Sequence, residues 1–314
     1  MKIAVLDGAT LGRDIDITPL YNVGEVEFFD TTPDELISER LSGADCAVVN
    51  KIKMNESTIG GADSLKLICV AATGFDNIDL EFCRSRGIAV CNVVGYSTDS
   101  VAQVTLAMVL SLSTHLREYT DFVNSGEYTR AGIANRLVPT YFELAGKKWG
   151  IVGLGNIGGK VAEVAKAMGC NVVAYKRTPV DEYACVDIDT LCSECDIITI
   201  HTPLNDGTRN LINADRIASM KKGAIVVNVA RGAVCDEAAL ALAAEKGDIN
   251  LGIDVYTKEP FGTEHPFNKL LGLPNVCLTP HMAWGALDAR NRCISEIAEN
   301  IKSFKNKENR NRLV

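Results

Sequence analysis

The sequence predicts an α/β protein built from two doubly wound parallel-sheet domains, and three observations carry that prediction. Short β-branched runs alternate with longer amphipathic segments, the pattern of strands covered on both faces by helices. The alternation occurs twice, once before residue 99 and again from Lys148 onward. A glycine-rich turn, Gly153 to Gly158, joins one run to the helical segment after it. The length of 314 residues suits about two domains of roughly 100–200 residues each.

Strands are expected at 3–6, 26–29, 46–49, 67–70 and 88–91 in the first half, and at 148–152, 171–175, 197–200, 224–229, 251–254 and 276–279 in the second. The hinge lies near residue 99, where Gly95, Tyr96, Ser97, Thr98, Asp99 and Ser100 offer small polar groups to cap the helix that follows. That helix, 101–116, is apolar nearly all round, so it should be buried between domains or against a second subunit. The last segment, 286–304, is helical with Ile294, Ile297, Ile301 and Phe304 on one face. No sheet position remains for it in the second half, so it should return to the first domain. The expected domains are 1–99 with 285–314, and 100–284.

Composition excludes several classes. With 47% hydrophobic and 23% charged residues the chain reads as an ordinary globular protein. No apolar run approaches the roughly 18 residues of a membrane span. The opening run Ile3 to Leu6 is too short for a signal peptide and stops at Asp7, so it reads as a first buried strand. A net charge of −8 opposes nucleic acid and anionic membrane, and the basic stretch 302–312 reads as the solvated end of the last helix. Eleven cysteines without a secretory signal imply free thiols in a reducing compartment, the cytoplasm. Cys192 and Cys195 form a lone C-x-x-C pair without a second pair, so no metal site is expected.

The chemistry sits in the second half. Gly153, Gly155 and Gly158 follow a strand and open a helix, as a dinucleotide fingerprint requires. Gly153 permits the tight turn, Gly155 lets the backbone approach the pyrophosphate, and Gly158 lets helix and strand pack closely. Asn156 and Ile157 complete the turn. The second strand ends in Tyr175, Lys176 and Arg177, where an acid would hold the ribose hydroxyls of NAD. The basic pair favours NADPH through contacts to a 2′-phosphate, with NAD(H) as the alternative. Arg231, Glu259 and His281 each stand just past a strand, the edge where open α/β sheets bind ligands. An Arg, a Glu and a His at one rim suit a carboxylate anchor, a carboxylate partner and a general acid. His201 reads as cleft lining, His115 and His265 as structural or surface, and Asp236 as the cap of helix 237–244.

Gly153 to Gly158, Asn228 to Gly232, Asp254 with Glu259 and Pro260, and Thr279 to His281 occur in an order that resembles the D-isomer-specific 2-hydroxyacid dehydrogenase family. Within it, residues 1–8, 72–79, 95–103 and 280–284 most resemble glycerate dehydrogenases, also called hydroxypyruvate reductases. The resemblance implies a Rossmann-type cofactor domain, a flavodoxin-like substrate domain and an active-site cleft between them. It implies that Arg231 binds the substrate carboxylate, that His281 protonates the carbonyl oxygen, and that Glu259 holds the imidazole and favours its charged form. It also implies carboxylate contacts from Thr73 and Gly74, a pocket border at Trp284, and cofactor contacts from Thr98, Thr202, Pro203, Ala230 and Asp254. The bland alternatives are packing for Trp284 and a solvated turn for Lys51.

The expected activity is NAD(P)H-dependent reduction of hydroxypyruvate or glyoxylate by a homodimer. The runner-up is a dehydrogenase of D-lactate or of branched D-2-hydroxy acids. A dinucleotide-sensing protein, similar to the family's corepressors, is the alternative from another class. Formate oxidation is disfavoured because Glu259 stands where that branch uses an amide. A sequence ending at Val314 leaves no room for an appended regulatory domain, and the uncharged loop 71–75 suggests an unphosphorylated substrate.

Overall fold

A computed structural model describes residues 1–178 and 181–314, which form two compact units: Met1–Ser97 with Trp284–Val314, and Thr98–Ala283. Trp284, placed with the second domain from the sequence, falls with the first.

The first unit holds strands β1 (Lys2–Val5), β2 (Glu25–Phe28), β3 (Cys46–Val49), β4 (Leu67–Val70) and β5 (Ala89–Cys91). They form a parallel sheet in the order β2-β1-β3-β4-β5. Both faces are covered at β3, β4 and β5, which are continuously apolar, while the edge strand β2 alternates Glu25, Val26, Glu27 and Phe28. The two-residue side-chain period then feeds two cores: Ile3 and Val5 enter one, Ala4 and Leu6 the other.

The C-terminal helix Leu287–Lys305 buries Cys293, Ile294, Ile297 and Ile301 in the first of these cores. Polar contacts fasten it as well. Arg290 forks onto Asp14 at 2.5 and 2.9 Å, and Asn300 donates to the Asn92 carbonyl at 2.9 Å.

The second unit holds β6 (Lys148–Val152), β7 (Asn171–Tyr175), β8 (Ala184–Cys185), β9 (Ile197–Ile200), β10 (Ala224–Asn228), β11 (Ile249–Ile253) and β12 (Val276–Leu278). Its parallel sheet runs β12-β11-β10-β9-β6-β7-β8, with β7 and β8 added on one side of β6 and β9 to β12 on the other. The two-residue strand β8 escapes sequence reading because it is too short to show a period.

The helix after the hinge spans Thr98–Thr114 and stops before His115, whose φ of 53° is left-handed. Its buried residues Val101, Ala102, Met108, Val109 and Leu112 pack within its own unit, Met108 lying against Gly252 of β11. The helix thus covers its own sheet. In the following segment Leu116, Ile133, Leu137, Val138 and Phe142 are exposed.

Candidate active site

Adjacent strands β10, β11 and β12 deliver Arg231, Glu259 and His281 to the carboxyl edge of one sheet. His281 takes a φ of 52°, a conformation a non-glycine residue adopts only where its surroundings over-determine it. The surroundings are visible. Asp254, buried at the end of β11, accepts the Thr279 hydroxyl at 2.6 Å and the Met282 N–H at 2.8 Å on one oxygen. Its other oxygen accepts the Ala283 N–H at 3.0 Å. A buried carboxylate thus spans the turn that bears His281.

The imidazole Nδ1 of His281 lies 2.6 Å from Glu259 Oε2, and Glu259 Oε1 accepts the Tyr256 N–H at 2.9 Å. An ionised carboxylate only accepts, so Nδ1 carries the hydrogen and Nε2 is the ring nitrogen able to exchange a proton with a ligand. Both side chains are partly shielded, 21% and 31% exposed, which strengthens the hydrogen bond between them.

Arg231 opens the turn after β10. Asn228 donates to its carbonyl at 2.9 Å and accepts the Ala230 N–H at 3.0 Å, fixing the backbone on both sides of Ala230. Gly232 follows, where a Cβ would sit 2.2 Å from the Thr257 nitrogen. Only a bare backbone lets the Arg231 turn and the Glu259 loop approach this closely.

The glycine turn divides by role. Gly153 has φ 95° and abuts Thr202, while a Cβ on Gly158 would lie 2.1 Å from the Gly153 carbonyl. Both are demanded by the protein itself. A Cβ on Gly155 would meet nothing within 4 Å, so bare backbone there leaves open space above the turn.

Gly155 is the N-cap of helix Asn156–Ala167 and supplies no capping side chain, leaving the first-turn N–H groups to an anion. Nearby, both ring nitrogens of His201 are buried without a hydrogen-bond partner among the described residues. Burial pushes its pKa down to about 3, so the ring is neutral. These features fit a dinucleotide diphosphate. Tyr175 ends β7 against the core, with Lys176 half-buried and Arg177 exposed beyond it. Thr202 is half-buried and Pro203 exposed after β9, while Thr98 opens its helix.

In the first unit, Thr73 and Gly74 follow β4. The Thr73 hydroxyl donates to the Val93 carbonyl at 2.8 Å and its own carbonyl accepts from Asn92 at 2.8 Å, so the loop is tied down. Trp284 packs edge-on against Tyr96 with centroids 6.5 Å apart. The Lys51 N–H donates to Asp7 at 2.6 Å, and Asp7 also receives N–H groups from Asn50 and Ile52. Burial pushes the Asp7 carboxyl above its usual range against those bonds. Sequence reasoning took Asp7 only as the polar stop of a strand. Among the described residues no group of three or more His, Cys, Asp or Glu could hold a metal, and no helix is long and apolar enough to cross a membrane.

Asp254, expected among the cofactor contacts, accepts three hydrogen bonds from residues 279–283. That pairing joins the ends of neighbouring strands, which no local pattern reveals before topology is known.

Residues 106–283 match the family described as D-isomer specific 2-hydroxyacid dehydrogenase, NAD binding domain. The chain is 35% identical over 276 residues to a glycerate dehydrogenase of Methylorubrum extorquens, covering 87% of this chain and 86% of that one. It is 33% identical over 315 residues to a hydroxypyruvate reductase of Blautia hydrogenotrophica, covering 97% of each. Its fold is similar to the D-lactate dehydrogenase of Aquifex aeolicus complexed with NAD and lactic acid. That similarity has a TM-score of 0.86 and 28% identity, covering 98% of this chain and 96% of that one.

Proposed function

The chain belongs to the D-isomer-specific 2-hydroxyacid dehydrogenase family of oxidoreductases, and from that premise we propose that it reduces hydroxypyruvate or glyoxylate to the D-2-hydroxy acid. The observation that carries the reading is the 2.6 Å contact between His281 and Glu259 at the carboxyl edge of the sheet. A nicotinamide dinucleotide bound along Gly153 to Gly158 supplies the hydride. Arg231 takes the substrate carboxylate in its planar fork and polarises the neighbouring carbonyl. His281 gives the Nε2 proton to the carbonyl oxygen as charge develops there, and Glu259 stabilises the imidazolium beforehand and fixes the ring. In the first unit, the N–H groups of Thr73 and Gly74 and the indole of Trp284 are the groups suited to contact a substrate.

Lys176 and Arg177, standing where an acid would read the ribose, support NADPH over NADH. Thr98, Tyr175, Thr202, Pro203 and Ala230 line the dinucleotide's path, and Asp254 acts by holding the His281 turn. The exposed apolar residues of 116–142 support assembly with a second copy of this protein, and the free cysteines support a reducing, cytoplasmic setting. Likeness to a D-lactate dehydrogenase keeps pyruvate as the second substrate to test.

Initial rates on hydroxypyruvate, glyoxylate, pyruvate and 2-oxoisocaproate, each with NADPH and NADH, decide among these. The expected preference is hydroxypyruvate or glyoxylate with NADPH. A preference for the bulky oxo acid would overturn the substrate assignment, and a preference for NADH the cofactor assignment.

A further inference from the structure

The second unit contains another histidine–glutamate pair, outside the catalytic set. Glu237 is the first residue of helix Glu237–Glu245, just after Asp236, which caps the helix by accepting the Ala239 N–H at 3.0 Å. Its carboxylate is turned away from the helix. Oε1 accepts the Thr257 N–H at 2.9 Å, and Oε2 lies 3.2 Å from His265 Nε2. Nδ1 of His265 accepts the Phe267 N–H at 3.3 Å, so the ring's hydrogen is on Nε2 and is donated to Glu237. Tyr256, Phe261 and Phe267 pack around the imidazole with centroids 5.0–6.0 Å away. Only 9% of the His265 side chain and 12% of the Glu237 side chain are exposed.

One carboxylate therefore fastens residue 257 and residue 265, the two ends of a loop that has Glu259 inside it. The same carboxylate lies against Gly232, where a Cβ would sit 2.8 Å from Oε1, so the anchor borders the Arg231 turn as well. We infer that Glu237 and His265 are positioning residues: by pinning both ends of loop 257–265 they hold the Glu259 carboxylate at His281. This rests on the proposed role of Glu259 toward His281. Other titratable groups about this corner are Asp254 at the end of β11, Cys277 of β12, Tyr256, and Cys235 and Asp236 just before the helix. Burial, with help from the carboxylates of Asp254, Glu259 and Glu237, pushes the Tyr256 phenol above its ordinary range. Burial and the Glu237 carboxylate push the Cys235 thiol up as well.

The test uses the full-length enzyme and follows kcat/KM for hydroxypyruvate reduction against pH, with circular dichroism as the check on folding. A displaced Glu259 leaves the imidazolium less favoured, so the pH above which reduction fails moves down. His265→Ala should lower that pH by about one unit and kcat by about tenfold, with KM for hydroxypyruvate changed less than about twofold. His265→Gln, which returns an amide N–H toward the Glu237 oxygen, should restore the profile. Glu237→Gln opposes two donors, shifts the profile as His265→Ala does, and decides the matter if the alanine variant does not fold. In a Glu259→Gln background neither change should move the profile further. If Glu259→Gln shifts the profile but the His265 and Glu237 variants leave it at the wild-type position, the positioning role is overturned and the reading of Glu259 stands. If His265→Gln behaves as alanine does, the hydrogen bond is not the agent and the inference also fails. If Glu259→Gln itself moves nothing, the reading of Glu259 falls and takes this inference with it.

Discussion

The two histidine–glutamate pairs of the second unit share their chemistry and differ in setting. His281 sits in a left-handed backbone conformation at the end of β12, about one-fifth exposed, with its carboxylate partner on a loop. His265 is less than one-tenth exposed, ringed by aromatic side chains, and has both ring nitrogens occupied. A histidine whose nitrogens are both used by the protein can fix geometry but has no proton to offer a ligand. The role of an imidazole here follows from its surroundings, aromatic enclosure for His265 and the rim of the sheet for His281, not from the presence of a carboxylate.

The sharpest way to break this comparison is to remove each ring in turn. His281→Ala should lower turnover on a 2-oxo acid by about 10²–10⁴-fold, the usual worth of a general acid. His265→Ala should cost only about tenfold. Comparable losses from the two would erase the distinction.

The strip of backbone separating the two anchors provides the next test. Gly232→Ala places a Cβ 2.2 Å from the Thr257 nitrogen and 2.3 Å from the Tyr256 carbonyl carbon, so the loop bearing Glu259 has to shift. A stability loss of about 1–3 kcal/mol and at least a tenfold drop in kcat are expected, measured by thermal melts and steady-state rates. Wild-type values for both would show that the two loops do not depend on each other.

At the opposite side of the same sheet, Lys176→Asp should raise KM for NADPH by about tenfold or more, since a hydrogen bond to a charged group is worth roughly 1.5–3 kcal/mol. An unchanged KM would remove Lys176 from the cofactor's surroundings.

A third histidine extends the comparison to a ring that the described residues leave without a hydrogen-bond partner. Burial holds the His201 pKa at about 3, below its unfolded value of about 6.5. Protonation therefore favours the unfolded state, so the stability contribution is complete above about pH 6.5 and drains as pH falls toward 3. His201→Leu should flatten the acid side of the stability curve, by on the order of 3 kcal/mol between pH 7 and pH 4. Parallel curves for the two proteins would show that this ring does not govern acid stability.

Much of the fold was legible because most strands are buried on both faces and leave continuous apolar runs, and the eleven expected strands appear within about two residues of their expected ends. Strand β8 was not, since two residues carry no pattern. Arg231, Glu259 and His281 could be singled out because each follows a strand within its own short motif. Their placement at one sheet edge follows from the order β12-β11-β10. The roles of Asp254, Glu237 and His265 were hidden for the opposite reason. Each acts across strand ends or loops 20 to 29 residues apart in sequence, so its partner is defined only by the folded topology. Trp284 shows the limit on the other side, since its packing on Tyr96 is visible only when the last helix is laid on the first sheet.

In the proposed reaction His281, poised by Glu259, carries the proton that is consumed in one direction and released in the other. The most direct measurement is kcat/KM against pH in both directions, reduction of hydroxypyruvate and oxidation of D-glycerate, on the same enzyme preparation. Reduction should fail as pH rises through one titration and oxidation should appear through the same titration, with both curves displaced together in Glu259→Gln. Curves that do not cross at a shared group, or that stay in place when Glu259 is changed, would contradict it.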